Sequence, residues 1–206
     1  MITQSEFRTQ WSALHGSADT SGIVGGWLAI SYRFGLICTL LRITPNALTL
    51  FGLLAAIGTA LTATSAWAIA LIAISLFFDG IDGSVAIFQK RESNFGAVLD
   101  SVVDRMSEAL WCVALYRVGV PAGAALAIWT IGAIQEYARA RIISLGISKI
   151  GIVTFTERPV RASFIFIILI AYQFDLTGFT VAAIIFAAIQ LVSAGQVLRY
   201  GYSQLR

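Results

Sequence analysis

The chain has 206 residues, of which 58% are apolar and 12% are charged, and its mean hydropathy is +0.82. Soluble domains are about 45–50% apolar and about 25% charged. The composition therefore excludes a disordered chain and a charge-rich nucleic-acid-binding protein, and it favours an integral membrane protein. The net charge is +3. Cys38 and Cys112 lie in apolar stretches, and we interpret them as small buried side chains rather than a disulfide or a metal site.

The N-terminal region predicts helices that lie at the membrane surface. Phe7, Trp11 and Leu14 are spaced along one helix face, which is typical of an interfacial amphipathic helix. This stretch has no charged segment followed by an apolar one, so we expect no cleavable signal peptide. Residues 23–42 are apolar, but Arg33 would be costly at the centre of a bilayer. We therefore predict an interfacial helix there, with a seventh span as the alternative.

Six apolar stretches of 15 to 24 residues follow, and a membrane span needs about 20 residues. They cover residues 46–64, 67–87, 95–117, 121–144, 160–174 and 178–198. Of the three prolines, Pro45 and Pro159 fall between these stretches and Pro121 begins one of them, and a missing N–H is tolerated at such positions. We predict an all-α integral membrane protein with an N-terminal interfacial segment (1–42) and a six-helix transmembrane domain (43–206).

The basic residues predict the orientation of these spans. If the loop 88–94 lies in the cytoplasm, every lysine and arginine except Arg117 falls on or near the cytoplasmic side, Lys149 included. Both termini are then cytoplasmic, and the cell membrane is the expected location.

Four aspartates lie at the inner ends of the second and third predicted spans. Asp79 and Asp82 are three residues apart, and Asp100 and Asp104 are four apart, so each pair shares one helix face. At about 1.5 Å per residue, both pairs lie roughly 9–15 Å from the connecting loop. We therefore expect four carboxylates to face one small volume.

Such a group of anions requires protonation, arginine partners or a divalent cation. Oxygen ligands suit Mg²⁺, Mn²⁺ or Ca²⁺ rather than zinc. Two ions would serve a phosphoryl displacement. The alternative is a set of interhelical salt bridges with Arg105, Arg139 or Arg141.

The segment from Asp79 to Asp104 resembles the signature of the CDP-alcohol phosphatidyltransferase family, D-x2-D-G-x2-A-R-x8-G-x3-D-x3-D. Seven residues match at the family spacing: Asp79, Asp82, Gly83, Ala86, Gly96, Asp100 and Asp104. The stretch I-T-P-N-A-L-T at 43–49 is also similar to the family's entry to its first span. The resemblance implies six spans with an N-terminal interfacial helix, and a homodimer.

The resemblance also implies a reaction, in which an alcohol attacks the lipid-bearing phosphate of CDP-diacylglycerol and CMP leaves. It implies Asp79, Asp82 and Asp100 as ligands of Mg²⁺ or Mn²⁺, with two ions, and Asp104 as a further ligand and the general base. The small residues would let the CDP-lipid approach the helix backbone; they are Gly83, Ala86 and Gly96. The active site would face the cytoplasm, where CMP and a polar acceptor are soluble.

One position departs from the signature, since Ile87 stands where the family has arginine. We hypothesise that Arg91, one helical turn later, takes over the contact with the CDP-lipid. The alternative is a family member that binds CDP-lipid without turnover.

A second basic group lies at the inner ends of the last three spans, and arginine forks suit phosphate. E-Y-A-R-A-R and T-E-R-P-V-R resemble segments of bacterial phosphatidylinositol-phosphate synthases, which implies inositol phosphate as the acceptor. The residues expected to bind the acceptor phosphate are Arg139, Arg158 and Arg199, followed by Arg141 and Arg161. The alternative is that these arginines set the topology or contact anionic membrane lipids.

Two other functions remain as alternatives. Glycerol 3-phosphate is a similarly anionic polyol phosphate acceptor. Intramembrane acids also occur in transporters and proton relays, although these acids gather at one end of the predicted spans. No nucleic-acid partner is expected.

Overall fold

The computed structural model describes residues 2–14, 19–147 and 153–206, so Lys149 lies outside the described residues. Within those ranges the chain is all-helical and contains no strand, which confirms the predicted fold class at this level. The helices are α1 (Gln4–Leu14), α2 (Gly22–Leu40), α3 (Pro45–Leu61), α4 (Trp67–Gln89), α5 (Asn94–Arg117), α6 (Ala122–Ser144), α7 (Arg158–Gln173) and α8 (Phe179–Leu205).

Local capping explains where α3 and α5 begin. The Thr44 hydroxyl accepts a hydrogen bond from the N–H of Ala47 at 3.3 Å, and Pro45 occupies the first position of α3. The Ser93 hydroxyl accepts from the N–H of Gly96 at 3.0 Å at the start of α5. Both contacts satisfy backbone donors that a helix start leaves without a partner.

The turn between α4 and α5 sets the approach of the two aspartate-bearing helix ends. Lys90 adopts a left-handed conformation with φ of 54°. Its N–H donates to the Ile87 carbonyl at 3.1 Å, and the N–H of Arg91 donates to the Ala86 carbonyl at 2.9 Å. This pair of bonds is the Schellman motif that ends many helices. The chain can then start α5 after a short loop.

The described chain forms two compact units. The first contains Met1–Ala55 and Ile74–Ser107, and the second contains Ala56–Ala73 and Glu108–Arg206. Two buried apolar clusters form the core of the first unit, one around Phe7 and Ile87 and one around Leu48 and Ile81. The division predicted after residue 42 stays a prediction.

Small residues permit close helix packing in the second unit. A Cβ at Gly132 of α6 would lie 3.2 Å from the Nε of Arg161 on α7. A Cβ at Gly201 of α8 would lie 2.5 Å from Cδ1 of Ile142 on α6. A larger side chain at Gly201 would therefore require the Ile142 side chain to move.

Two of the described helices, α4 and α8, are long and apolar enough to cross a membrane. A third candidate is the pair Val24–Leu40 and Pro45–Leu61, if these helices, which meet at 107°, form one broken span. Charged side chains interrupt α5, and α7 has only 16 residues. The apolar helices fit an integral membrane protein, while six spans and the interfacial placement of residues 23–42 stay predictions.

Candidate active site

Three of the four predicted aspartates come together in the first unit. Asp79 on α4 and Asp100 and Asp104 on α5 each offer one carboxylate oxygen, and these oxygens lie within 4.8 Å of one another. All three side chains are half-buried. Arg105 contacts the Asp104 carboxylate at 3.5 Å from the next position of the same helix. The i, i+4 spacing on α5 produces this convergence because both side chains leave the same helix face.

Asp82 is held differently, by the chain itself. Its side chain is buried, with 6% of the residue exposed. One carboxylate oxygen accepts from the Thr49 hydroxyl of α3 at 2.5 Å, and the other accepts from the N–H of Gly83 at 2.6 Å. Asp82 therefore lies three residues after Asp79 on α4, but its carboxylate is hydrogen-bonded to Thr49 of α3.

A cavity of about 420 Å³ adjoins these residues within the first unit. Its lining brings together most of the residues that the sequence assigns to the metal and CDP-lipid sites: Asp79, Asp82, Asp100, Gly83, Ala86, Gly96 and Arg91. A Cβ at Gly83 would meet no other atom within 4 Å. The absence of a side chain there leaves room for a ligand beside the α4 backbone.

The donor set fits a hard divalent cation. Mg²⁺ holds oxygen ligands at about 2.0–2.1 Å, so two ligands on opposite sides of one ion lie roughly 4.2 Å apart. Three carboxylate oxygens within 4.8 Å approach this spacing. The cluster contains neither thiol nor imidazole, which disfavours zinc.

Ile87, which departs from the family signature, is both a core residue and a cavity residue. It is 5% exposed and packs in the cluster that contains Phe7 and Phe88. It also lines the cavity together with Arg91. Arg91 is thus available on the cavity wall, as the compensation hypothesis requires.

In the second unit, Arg139 forms a two-pronged pair with Glu157. Both guanidinium–carboxylate contacts measure 2.7 Å, and Glu136 lies 3.3 Å from the same guanidinium. Burial alone would raise the pKa of Glu157, but hydrogen bonds from Arg139 and Thr154 lower this pKa to about 2. Glu157 therefore remains ionised throughout the physiological pH range.

Arg161 and Arg158 share a second carboxylate. Arg161 is 2% exposed and contacts Glu108 at 2.9 Å, while Arg158 contacts the same carboxylate at 3.5 Å and lies over the Trp111 ring. Arg161 also donates to the Thr156 carbonyl at 2.7 Å. Arg161 therefore stabilises the fold by pairing with the buried Glu108 carboxylate, a role that the sequence spacing did not indicate.

The remaining two arginines are more exposed. Arg141 donates to the Ser144 hydroxyl at 3.2 Å, and Arg199 lies near the C-terminal end of α8. The close approach of Gly201 to Ile142 brings that end of α8 beside the end of α6. Arg141 and Arg199 therefore lie at the same end of this helix pair.

Several residues at these sites were missed by the sequence interpretation. Thr49 stands inside the I-T-P-N-A-L-T stretch at 43–49, but its contact with Asp82 depends on the packing of α3 against α4. Glu136 and Glu157, the partners of Arg139, belong to E-Y-A-R-A-R and T-E-R-P-V-R, whereas Glu108, the partner of Arg158 and Arg161, lies outside both motifs. Trp11 was assigned to the membrane surface, and it lines the cavity.

Comparison with protein families finds a match to the CDP-alcohol phosphatidyltransferase model over residues 42–194. The phosphatidylinositol phosphate synthase of Corynebacterium glutamicum is 31% identical over 169 residues, which is 76% of this chain and 74% of that protein. The archaetidylinositol phosphate synthase of Aeropyrum pernix is 43% identical over 81 residues, or 39% of this chain. The chain spans only 42% of the length of this archaeal relative.

Solved structures share the fold. A phosphatidylinositol phosphate synthase of Mycobacterium tuberculosis with CDP-DAG bound has a TM-score of 0.73 at 22% identity, covering 84% of this chain and 94% of that one. The same enzyme in complex with manganese and citrate has a TM-score of 0.72 at 21% identity, covering 84% and 88%.

Proposed function

The chain belongs to the CDP-alcohol phosphatidyltransferase family, and we propose that it transfers a phosphatidyl group from CDP-diacylglycerol to a phosphorylated alcohol. The acceptor hydroxyl attacks the lipid-bearing phosphorus, the bond between the two phosphates breaks, and CMP leaves. The observation that carries this proposal is the convergence of Asp79, Asp100 and Asp104 within 4.8 Å beside a cavity lined by the rest of the family signature.

Asp79, Asp100 and Asp104 would hold a divalent cation, Mg²⁺ or Mn²⁺, and Asp82 would complete a site for two ions. When bound, the ions supply positive charge that neutralises the diphosphate and stabilises the departing CMP. The Mycobacterium tuberculosis enzyme, solved with manganese, supports the choice of ion class. For Asp82 to take part, its carboxylate must give up or share its contact with Thr49.

Asp104 is the general base in this proposal. Its side chain is 16% exposed, so an acceptor hydroxyl can reach it from solvent. The guanidinium of the neighbouring Arg105 lies 3.5 Å from this carboxylate. The proton then passes from the acceptor hydroxyl to Asp104 as the new oxygen–phosphorus bond forms.

The cavity residues Gly83, Ala86, Gly96 and Arg91 bind the CDP-lipid in this proposal. The three small residues let the ligand approach the α4 and α5 backbones, and the Arg91 guanidinium pairs with the diphosphate. If Arg91 replaces the family arginine, then Arg91→Ala weakens CDP-diacylglycerol binding, whereas Arg42→Ala does not. Unchanged binding by Arg91→Ala would remove the compensation hypothesis.

The acceptor that the second-unit charges favour is inositol phosphate, bound through Arg139, Arg158 and Arg199, with Arg141 and Arg161 in supporting positions. Guanidinium groups donate to phosphate, and neighbouring carboxylates accept from hydroxyl groups. A cluster with both kinds of group suits a phosphorylated polyol with many hydroxyls. The synthase of Corynebacterium glutamicum supports this choice. Glycerol 3-phosphate is the second candidate because it presents the same phosphate chemistry.

We further propose that the protein crosses the cell membrane six times as a homodimer, with the active site facing the cytoplasm. The distribution of basic residues supports this orientation, and the apolar helices α4 and α8 support membrane insertion.

The proposed reaction is tested with the purified chain in lipid nanodiscs and radiolabelled CDP-diacylglycerol. We expect CMP release that requires Mg²⁺ or Mn²⁺ and an acceptor, and that a chelator abolishes. Asp104→Asn should lower the rate about 100-fold or more, whereas Asp175→Asn, a matched change at an exposed loop residue, should not. CDP-lipid binding without CMP release with either acceptor would instead identify a non-catalytic binding protein.

The acceptor assignment is tested in the same assay. Arg199→Gln should raise the KM for inositol phosphate about tenfold or more, because a charge-assisted hydrogen bond is lost, without lowering the melting temperature. Arg161→Met should lower the melting temperature, because it leaves Glu108 buried without its 2.9 Å partner. A higher rate with glycerol 3-phosphate than with inositol phosphate would select the second candidate.

A further inference from the structure

The N-terminal helix α1 is anchored in the core of the first unit. Phe7 is fully buried and packs with Leu28, Ile87 and Phe88. The Tyr32 ring lies 6.0 Å from the ring of Phe7 and 5.3 Å from that of Phe88, measured between centroids. The contacts join α1 to both α2 and the C-terminal end of α4. The helix is thus part of the protein fold as well as an amphipathic surface element.

Polar contacts fix the start of α1 and its distance from α2. The Thr3 hydroxyl accepts from the N–H of Glu6 at 3.2 Å, and the Glu6 carboxylate accepts from the N–H of Thr3 at 2.7 Å. This reciprocal pair is a capping box. Arg8 also donates to the Gly25 carbonyl at 3.2 Å. The position of the next turn of α1, which carries Trp11, is therefore defined on several sides.

Trp11 occupies two environments. It packs against the buried cluster that contains Ile87, and it lines the cavity that contains Asp79 and Asp100. The same cavity is lined by the polar residues Asn46 and Ser93. A rigid aromatic side chain thus faces a space that also offers hydrogen-bonding groups and carboxylates.

We propose that Trp11 is a substrate-binding residue that contacts the cytosine base of CDP-diacylglycerol. The inference rests on the proposed function, since the diphosphate must lie at the aspartates. Two groups are attached to that diphosphate, a nucleoside on one side and a diacylglycerol on the other. A base has a flat face for stacking and polar edges, which suit an indole beside Asn46 and Ser93. Acyl chains would instead require an apolar, lipid-facing surface.

The test measures binding of CMP in the presence of Mn²⁺ to the full-length protein in nanodiscs. Trp11→Leu keeps the apolar bulk but removes the aromatic ring, whereas Trp11→Phe keeps a ring. Stacking of a base on an aromatic side chain is strong enough that we expect Trp11→Leu to raise the Kd for CMP about tenfold. Trp11→Phe should recover most of the affinity. Trp67→Leu, at a residue that is 70% exposed, is the matched control.

Pyrophosphate separates a base contact from general damage to the site, because it carries the phosphates without a base. The affinity for pyrophosphate is measured by its competition against CMP, with Mn²⁺ present. This affinity should be the same in Trp11→Leu and the wild type. An equal loss for CMP and pyrophosphate, no loss for CMP, or no recovery in Trp11→Phe would each overturn the inference. If the wild type bound neither probe, the proposed function would fail as well; wild-type turnover with an unaffected Trp11→Leu variant would refute the role of Trp11 alone.

Discussion

Thr49 links α3 to the acidic residues through a single buried hydrogen bond to Asp82. Thr49→Val removes the donor at nearly constant volume and leaves a buried carboxylate oxygen with less compensation. We expect a loss of about 1–3 kcal/mol in the free energy of unfolding and slower CMP release, because Asp82 is no longer oriented.

Thr49→Ser is the matched control, since it keeps the hydroxyl and removes only a methyl group. Thermal unfolding and the CMP-release assay would be run on both variants. Equal behaviour of Thr49→Val and Thr49→Ser in both measurements would contradict the role assigned to the hydrogen bond, because losing the hydroxyl would then cost no more than losing the methyl group.

The ion pair between Glu157 and Arg139 predicts a pH dependence of stability. The pKa of Glu157 is lowered from 4.5 to about 2 in the folded protein. A lowered pKa in the folded state stabilises the protein above the unfolded value and ceases to do so as the pH falls through the folded value. The contribution is thus complete above about pH 4.5 and lost between about pH 4.5 and pH 2.

Glu157→Gln therefore lowers the melting temperature at pH 7, and the difference from the wild type shrinks as the pH falls below about 4.5. Asp175→Asn, at an exposed residue, serves as the control for the general effect of losing a carboxylate. A difference between Glu157→Gln and the wild type that stays constant from pH 7 to pH 3 would contradict this assignment.

At the scale of secondary-structure elements, Ile87 couples α4 to α1. Its side chain packs with Phe7 and Phe88, and α1 carries Trp11 to the cavity. Ile87→Ala opens a hole under α1 and should cost about 2–5 kcal/mol of stability, whereas Ile87→Val should cost about 0.5–1.5 kcal/mol. CMP binding should weaken in the alanine variant, because α1 no longer holds Trp11 in place.

A double-mutant cycle tests this coupling. If Ile87 acts on CMP binding through Trp11, the loss in Ile87→Ala and the loss in Trp11→Leu do not add in the combined variant. Additive losses in the CMP-binding free energy would mean that the two residues contribute independently.

The elements themselves were largely predictable from the sequence, and their contacts were not. The second predicted span, 67–87, corresponds to Trp67–Gln89, and the third, 95–117, to Asn94–Arg117. Hydropathy and helix period determine such segments locally. The small shifts at the ends arise from capping, as at Ser93.

In the candidate site, too, the features set by local helix register were predictable, and the contacts between helices were not. Helix register alone brings Asp100 and Asp104 to one face, and the length of the turn brings Asp79 beside them. The partner of Asp82 lies 33 residues away on α3, and the carboxylate partner of Arg161 lies 53 residues away on α5. Sequence spacing carries no signal for contacts that depend on how helices pack. The interfacial prediction for Trp11 was incomplete for the same reason, because the docking of α1 is a tertiary contact.

At the scale of the whole molecule, the asymmetric distribution of lysine and arginine makes the orientation testable. Glu92 lies in the loop predicted to be cytoplasmic, and Thr177 lies between α7 and α8 on the predicted outer side. Both residues are exposed, while Cys38 and Cys112 are buried and can be replaced by alanine. A membrane-impermeant maleimide applied to intact cells should label T177C and should label E92C only after the cells are opened.

The same experiment separates six spans from other arrangements. If residues 23–42 formed an additional span, the N-terminus would lie on the outer side, and a cysteine at the exposed Ser5 would be labelled in intact cells. Protection of S5C together with E92C, and labelling of T177C, would agree with interfacial helices before six spans. Labelling of E92C in intact cells would show that the orientation is the reverse of the predicted one. The aspartate cluster would then lie on the side away from the cytoplasmic pool of CMP and polar acceptor. The proposed reaction would then lack its substrate supply, so the topology of this one loop bears directly on the chemistry assigned to Asp104.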